Sequence, residues 1–203
     1  PLGIHCAVKK NSRGDQAVQM LTIIGYSLPT FLIAILFIWI FCSLLHIFPP
    51  SGIKTPGSSY TGWKFFTDRM YFLALPLIVM TFCSLGGMTR YVRSAMIDAL
   101  SMDYIRTARA KGLKEKVVIY SHAWRNALLP IITVIGLNFG VLMGGAVSTE
   151  TVFSIPGLGS LLISSVRNQD APVVMAIVIF VAAVIGIVNL IVDVVYTYAD
   201  PRL

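Results

Sequence analysis

The chain has 203 residues, of which 56% are hydrophobic and 12% are charged, whereas a soluble domain has about 25% charged residues. This composition excludes an ordinary soluble domain and indicates a protein embedded in a lipid bilayer. The formal net charge of +7 suits an anionic membrane surface, and we expect no nucleic acid as a partner.

The three cysteines have no paired spacing, and the three histidines lie far from one another in the sequence. Cys42 and Cys83 lie inside apolar stretches, and neither an HExxH pattern nor a Cys-His cluster occurs. We therefore expect cysteines that serve packing, no disulfide, no metal centre and no cofactor.

Four stretches without Lys, Arg, Asp or Glu cover residues 17–53, 70–89, 126–149 and 171–192. Each is at least as long as a membrane-spanning helix, which needs roughly 20 residues. The predicted fold is an all-α membrane protein, a helical bundle of about four transmembrane helices.

The basic residues indicate the orientation of these helices. If the chain starts inside and crosses four times, 12 of the 16 basic residues fall on one side. Because cytoplasmic loops are enriched in Lys and Arg, this side is predicted to be the cytoplasm. Both ends of the chain then lie inside the cell.

The first part of the chain is predicted to contain two crossings. Residues 1–20, which begin without Met, are expected to be the end of a helix and a basic cytoplasmic connection. The first crossing covers about 21–48, with a kink at Pro29. An external loop follows, and the second crossing runs inward from about residue 70 to an anchor at Arg93.

A polar stretch at 101–125, SMDYIRTARAKGLKEKVVIYSHAWR, separates the second and third crossings. It is predicted to form two short helices: Ser101 caps the first and Gly112 ends it. The second is expected to begin at Leu113. Its apolar face is predicted from a recurrence every three to four residues and consists of Leu113, Val117, Tyr120, Trp124 and Leu128. A basic helix-turn-helix is therefore expected at the membrane surface, and a solvated basic loop is the simpler alternative.

The third crossing contains Gly136, Gly140 and Gly144 at four-residue spacing, which predicts close packing against another helix. Asn138 lies about 200° around the helix from Gly136, given 3.6 residues per turn. Asn138 is a candidate for lining a polar translocation path, and an interhelical hydrogen bond is an equally good interpretation.

The last part of the chain is predicted to hold an external segment and a fourth crossing. Residues 149–172 are expected to include a short helix folded back on the outer face. Glu150 has no acid or base partner in the pattern, so it is expected to cap or anchor this segment. Asp193, near the inner end of the fourth crossing, is expected to contact Arg202 or to line a substrate path.

Five segments, taken in order, resemble the membrane subunits of ABC importers, and specifically the oligopeptide/dipeptide permease family. They are Pro1-Leu2-Gly3 with Ala7, Lys9 and Asp15; YIRTARAKG at 104–112; HAWRNALLP at 122–130; ETVFSIPGLG at 150–159; and Asn189, Asp193 and Tyr196 with the terminal Asp200-Pro201-Arg202. The run 104–112 is similar to the cytoplasmic "EAA" loop of these subunits. Arg106-Thr107-Ala108 stands where the general pattern has Glu-Ala-Ala, which resembles the B-type subunit of peptide permeases.

The resemblance implies one type I transmembrane domain over 1–203, incomplete at its N-terminus, in a bacterial inner membrane. It implies that the loop at about 101–125 couples this domain to ATPase subunits. The residues carried over to this role are Arg106, Thr107, Ala108, Arg109, Ala110, Lys111, Gly112 and Leu113. The implied partners are a second permease subunit, two ATP-binding subunits and an extracellular substrate-binding protein. The implied substrate is an oligopeptide or dipeptide, with nickel complexes or glutathione as the alternatives within the family.

A secondary transporter and an intramembrane enzyme are the rival classes. The first would place ionisable residues near the middle of the crossings, and the second would need converging His, Asp, Ser or Cys side chains there. The four apolar stretches contain no Lys, Arg, Asp or Glu, and Cys42 and Cys83 have no evident partner. We therefore expect a transport subunit without catalytic residues.

Overall fold

A computed structural model describes residues 1–143 and 146–199, excluding the side chains of residues 140, 141, 143, 198 and 199. The helices in this part of the chain are α1 (Leu2–Val8), α2 (Arg13–Ser27), α3 (Thr30–Phe37), α4 (Gly62–Ser101), α5 (Asp103–Ala110), α6 (Glu115–Val117), α7 (Trp124–Met143), α8 (Val147–Val152), α9 (Leu158–Arg167) and α10 (Ala171–Ala199). π-Helical turns extend α3 over Ile38–Leu44 and α6 over Val118–Ala123. The described residues contain no strand.

The predicted all-α membrane protein is confirmed, with two to three candidate crossings in the described residues. α4 and residues Ala171–Thr197 of α10 are each long and apolar enough to cross a membrane. α2 and the segment Thr30–Leu44 form a sharply bent pair that counts as a further crossing if the pair is taken as one. The third predicted crossing contains most of α7. Because α7 ends at Met143, next to residues that the structure does not describe, this crossing stays a prediction.

The predicted kink at Pro29 is a complete break between two helices. α2 ends at Ser27 and α3 begins at Thr30, and Pro29 is extended, with φ −57° and ψ 139°. Pro29 has no N–H to donate to the preceding turn, and its ring disfavours the helical conformation of Leu28 before it. The short non-helical link follows from these two restrictions.

The described chain divides into two compact units. The first comprises Pro1–Ile24, Leu85–Gly140 and Ile185–Leu203, and the second comprises Gly25–Ser84 and Val141–Val184. The first unit therefore contains the polar stretch at 101–125, and the second contains α8 and α9.

The core of the first unit gathers apolar side chains from the N-terminus, the C-terminal half of α4, the polar stretch and α7. Its buried members are Ile4, Ala7, Val92, Met96, Ala99, Ile105, Ala108, Val118, Ile119, Ala123, Ala127 and Ile131. Gly3 lies so close to α4 that a Cβ atom there would meet Val92 Cβ at 2.7 Å and the Thr89 carbonyl oxygen at 2.8 Å. The N-terminal helix is thus packed directly against α4.

The core of the second unit is built around Phe153, which follows α8 and is 1% exposed. Phe153 belongs to one buried cluster with Ile33, Leu75 and Val79, and its carbonyl oxygen accepts a 2.8 Å hydrogen bond from the Gly52 N–H. The short helix predicted within 149–172 is present as α9. The segment is not wholly external, because Phe153 packs among residues of the predicted first and second crossings.

Candidate coupling surface

The first helix of the polar stretch, α5, begins one residue later than the sequence indicates. The predicted cap, Ser101, is the last residue of α4, and its hydroxyl donates to the Asp98 carbonyl oxygen at 2.7 Å. Met102, which is extended with φ −72° and ψ 151°, precedes α5 instead. The prediction of Ser101 as the cap is wrong because α4 continues through Ser101 and engages its hydroxyl.

The two faces of α5 have different environments. Ile105 is 0% exposed and Ala108 is 6% exposed, and both belong to the core of the first unit. The small side chain of Ala108 therefore permits close approach of α5 to its own unit. On the opposite face lie the exposed residues that the sequence assigned to coupling: Arg106, Thr107, Arg109, Ala110 and Lys111.

Gly112 ends α5 in the left-handed region of conformational space, with φ +75°. Its N–H donates to the Arg109 carbonyl oxygen at 2.9 Å, and the Leu113 N–H donates to the Ala108 carbonyl oxygen at 3.4 Å. A residue with a side chain is disfavoured at this φ, although an added Cβ would meet no atom within 4 Å. The predicted end of the helix at Gly112 is confirmed.

An exposed ion pair bridges the turn between α5 and α6. Arg109 Nε donates to Glu115 Oε2 at 3.1 Å, and Arg109 Nη2 donates to Glu115 Oε1 at 2.6 Å. This bidentate contact lowers the pKa of Glu115 and raises the pKa of Arg109, in each case mainly through the side-chain hydrogen bonds. The pair favours one arrangement of the two helices around Gly112.

The apolar face of the second helix differs from the predicted one. Leu113, Val117 and Tyr120 are exposed. The buried positions after Leu113 are instead Val118, Ile119, Ala123, Ala127 and Ile131. The run Val117–Tyr120 is apolar throughout, so the apolar periodicity does not decide which of its residues face the core. Of the predicted face, Trp124 is partly buried against this core.

The surface of the polar stretch is strongly basic. Its exposed cations are Arg106, Arg109, Lys111, Lys114, Lys116 and Arg125. Arg106 lies 3.7 Å from Asp103 and Arg109 pairs with Glu115. Within the described chain the three lysines have no ion-pair partner, so the exposed face carries a net positive charge.

A buried ion pair fixes α2 to the helix that leads into this surface. Asp15 Oδ1 and Oδ2 accept hydrogen bonds from Arg93 Nε at 2.8 Å and Arg93 Nη2 at 2.7 Å. The Asp15 side chain is 2% exposed and also accepts a 2.9 Å bond from the Asn11 N–H. The sequence assigns Asp15 to a family motif and Arg93 to a membrane anchor. It does not predict their contact, because 78 positions separate the two residues.

The predicted contact of the glycine stripe is present at Gly136. A Cβ atom there would overlap Val192 Cγ2, so α7 packs against α10 at this point. The remainder of the stripe cannot be followed: the surroundings of Gly140 are not described, and Gly144 lies outside the described residues. Asn138 is exposed, and its Nδ2 donates to the Val134 carbonyl oxygen of the same helix at 2.7 Å.

Glu150 anchors the start of α9, as predicted. Glu150 Oε2 accepts a 2.8 Å hydrogen bond from the Ser160 N–H in the first turn of that helix. A Cβ atom on Gly157 would lie 2.6 Å from Glu150 Oε1, and one on Gly159 would lie 2.8 Å from Val147 Cα. The glycines of the 150–159 segment thus serve close packing between α8 and α9.

The remaining predictions concern Asp193 and a metal centre. Asp193 is exposed, and its expected partner Arg202 lies outside the described residues. Within residues 1–143 and 146–199, no group of three or more His, Cys, Asp or Glu side chains is placed to hold a metal ion.

All 203 residues match the protein family described as "Binding-protein-dependent transport system inner membrane component". The chain belongs to this family. The oligopeptide transport system permease protein AppB of Bacillus subtilis is 39% identical over 203 residues, which is 100% of this chain and 63% of AppB. The di/tripeptide transport system permease protein DppB of Pseudomonas aeruginosa is 40% identical over 217 residues, covering 99% of this chain and 64% of DppB.

A putative peptide permease protein of Brucella ovis is 40% identical over 201 residues, which is 99% of this chain and 62% of the relative. The resemblance to oligopeptide and dipeptide permeases is therefore confirmed over the whole chain. This inner membrane component spans a little under two thirds of the length of these curated relatives.

Proposed function

We propose that this chain is the larger part of a permease subunit of a binding-protein-dependent ABC importer, and that residues 101–125 couple it to ATPase subunits. The observation that carries the proposal is the form of α5. Its inner face is fixed in the core by Ile105 and Ala108, while its outer face is exposed and basic. A contact made by a partner with that outer face is transmitted to α4 and α7 through rigid packing.

The coupling residues divide by role in this proposal. Arg106, Thr107, Arg109, Ala110 and Lys111 contact the ATPase subunit. Ala108 and Gly112 position them, the first by packing inward and the second by allowing the turn. Leu113, which is 40% exposed, adds an apolar contact beside the turn. The basic character of this surface indicates an acidic groove on the ATPase subunit.

The remaining partners follow from the family. The functional assembly would contain a second permease subunit, two ATP-binding subunits and an extracellular substrate-binding protein in a bacterial inner membrane, with both ends of this chain cytoplasmic. Substrate moves inward by alternating access as the ATPase subunits close on ATP. ATP hydrolysis takes place on the ATP-binding subunits, and this chain carries out no reaction.

The names of the relatives favour a peptide as the substrate. Nickel complexes and glutathione are the alternatives, and a secondary transporter is the rival class. The full-length permease should be reconstituted with its partners in proteoliposomes and supplied with a labelled tripeptide, glutathione or a nickel chelate. We expect uptake of the tripeptide that requires both ATP and the binding protein.

Liposomes without the ATPase subunits are the control and should show no uptake. Uptake of glutathione or nickel chelate in place of the peptide would reassign the substrate. Uptake that depends on an ion gradient and does not require ATP would contradict the importer function itself.

A further inference from the structure

A small cavity with several hydroxyl groups in an otherwise apolar lining lies within the second unit. Its volume is about 270 Å³, and its lining residues are Thr30, Met80, Cys83, Ser84, Leu142, Ala146, Val147, Ser148 and Thr149. None of these side chains carries a formal charge at neutral pH. Four of them, Thr30, Ser84, Ser148 and Thr149, bear hydroxyl groups.

The hydroxyls come together because two helices begin at this cavity. α3 begins at Thr30, directly after the break at Pro29, and α8 begins at Val147, so Ser148 and Thr149 fall in its first turn. Ser84 faces them from the continuous helix α4. The meeting of two helix starts with a third helix concentrates polar groups that regular helices would keep apart.

The cavity lies among residues of the predicted crossings. Thr30 belongs to the apolar stretch 17–53 and Ser84 to the stretch 70–89, while Thr149 is only 3% exposed. Broken helices at membrane depth are tolerated where they are buried in protein or line a water-filled cavity, because lipid cannot satisfy their backbone groups. Polar side chains at such a position are costly unless they find hydrogen-bond partners.

The hydroxyls at this cavity retain hydrogen-bonding capacity. Thr107, Thr133 and Thr151 each donate to a carbonyl oxygen four residues earlier on their own helix. Within the described chain, Ser84 and Ser148 make no such bond. The Thr30 hydroxyl interacts with the Cys83 thiol. A ligand with neutral donors and acceptors would find matching groups on several sides.

We propose that this cavity binds the main-chain amide groups of the peptide in transit, an inference that rests on the proposed peptide importer. Hydroxyl groups both donate and accept, so they match the N–H and C=O groups common to every peptide. A lining without charge neither selects nor rejects charged side chains. The cavity is slightly smaller than the roughly 300–1,000 Å³ of drug-sized ligand sites, so it accommodates a short portion of a peptide.

Cys83 provides a direct probe of occupancy. In the complete importer, Cys6 and Cys42 are replaced by Ala, and any other cysteines of the full-length permease and of the partner subunits are also removed, so that Cys83 is the only thiol. The purified complex in lipid nanodiscs is alkylated with N-ethylmaleimide at increasing concentrations of trialanine. We expect the peptide to slow the alkylation of Cys83 at least about fivefold at saturation.

The hydroxyls are then tested by substitution. Ser84→Ala and Ser148→Ala should each raise the trialanine concentration that gives half-protection about three- to tenfold, because each removes one hydrogen-bonding group. Thr81→Val is the matched control, since Thr81 is exposed on the same helix as Ser84 and does not line the cavity. Half-protection should be unchanged in that variant.

Peptide uptake by the same complex in proteoliposomes distinguishes failure of the cavity as a peptide site from failure of the proposed substrate class. If the complex imports trialanine but the peptide does not protect Cys83, or Cys83 is unreactive without peptide, the cavity is not a peptide site. Equal half-protection in Ser84→Ala, Ser148→Ala and the control would also overturn the proposal. If the complex imports no peptide at all, the proposed substrate class fails as well.

Discussion

At the scale of single residues, the contact between Asp15 and Arg93 holds the N-terminal helices against the helix that leads into α5. The pair is bidentate, and the Asp15 side chain is 2% exposed. In a site so poorly hydrated, each charge depends on the other for stabilisation. Removal of one partner leaves the other with a desolvation cost that nothing offsets.

Asp15→Asn should therefore lower the stability of the assembled complex by about 3–5 kcal/mol, as breaking a buried pair does. Asp103→Asn is the control, because the Asp103 side chain is 95% exposed and lies 3.7 Å from Arg106; it should cost less than about 1 kcal/mol. The measurement is the midpoint of thermal unfolding of each purified complex. Equal midpoints for the two variants would show that the buried pair contributes no more than a surface pair.

The sequence could identify these two residues but not their contact. Asp15 belongs to a motif shared with the permease family, and Arg93 was interpreted as a membrane anchor. No local pattern connects residues 78 positions apart. By contrast, the turn at Gly112 was predictable, because a glycine after a short amphipathic run is itself the local cause of the left-handed turn.

At the scale of elements, the packing of α7 against α10 depends on the absence of a side chain at Gly136. Its nearest neighbours are the side-chain atoms of Val192. The chain offers a matched comparison in Gly186, which lies in α10 and has no atom within 4 Å of the position of an added Cβ.

Gly136→Ala should separate the two helices and reduce the yield of assembled complex in detergent, since the new methyl group overlaps Val192. Gly186→Ala should leave the yield unchanged or raise it slightly, because alanine is favoured over glycine in a helix by about 0.8–1.0 kcal/mol. Size-exclusion chromatography of the solubilised complexes measures both. Equal yields for Gly136→Ala and Gly186→Ala would show that the contact between Gly136 and Val192 is not needed for assembly.

Helix positions were predictable where composition and length decide them, but helix faces were not. The apolar stretches 70–89 and 171–192 lie within the longer helices α4 and α10. The buried face after Leu113 was misassigned because Val117–Tyr120 is a continuous apolar run. Several faces of a helix are then equally apolar, and only the packing of the first unit selects Val118 and Ile119 for burial.

At the scale of the whole molecule, the charge distribution predicts the orientation in the membrane. The basic stretch at 101–125 should lie in the cytoplasm and the loop around Ser59 outside the cell. In a full-length permease without native cysteines, Ser59→Cys should react with an impermeant thiol reagent on intact cells. Lys114→Cys should react only after the cells are opened.

Both positions are exposed on the surface of this chain, so a difference in their labelling reports the side of the membrane. Reaction of Lys114→Cys but not Ser59→Cys on intact cells would invert the topology. It would also place the proposed coupling surface on the wrong side for an ATPase subunit.

The coupling role of the polar stretch is the central claim, and two glycines allow it to be tested with equal backbone strain. Gly112 and Gly57 have φ values of +75° and +73°, and an added Cβ meets no atom within 4 Å at either position. A valine at such a φ costs roughly 1–2 kcal/mol at either site. The two substitutions therefore differ mainly in location.

The decisive measurement is peptide uptake per ATP hydrolysed by the reconstituted importer, with saturating loaded binding protein. Gly112→Val should lower this ratio about tenfold or more, or release the ATPase subunits from the complex, because it distorts the turn that positions Arg109 and Lys111. Gly57→Val should preserve both the ratio and the subunit composition. Wild-type coupling and composition in Gly112→Val, or equal losses in both variants, would contradict the assignment of residues 101–125 as the coupling element.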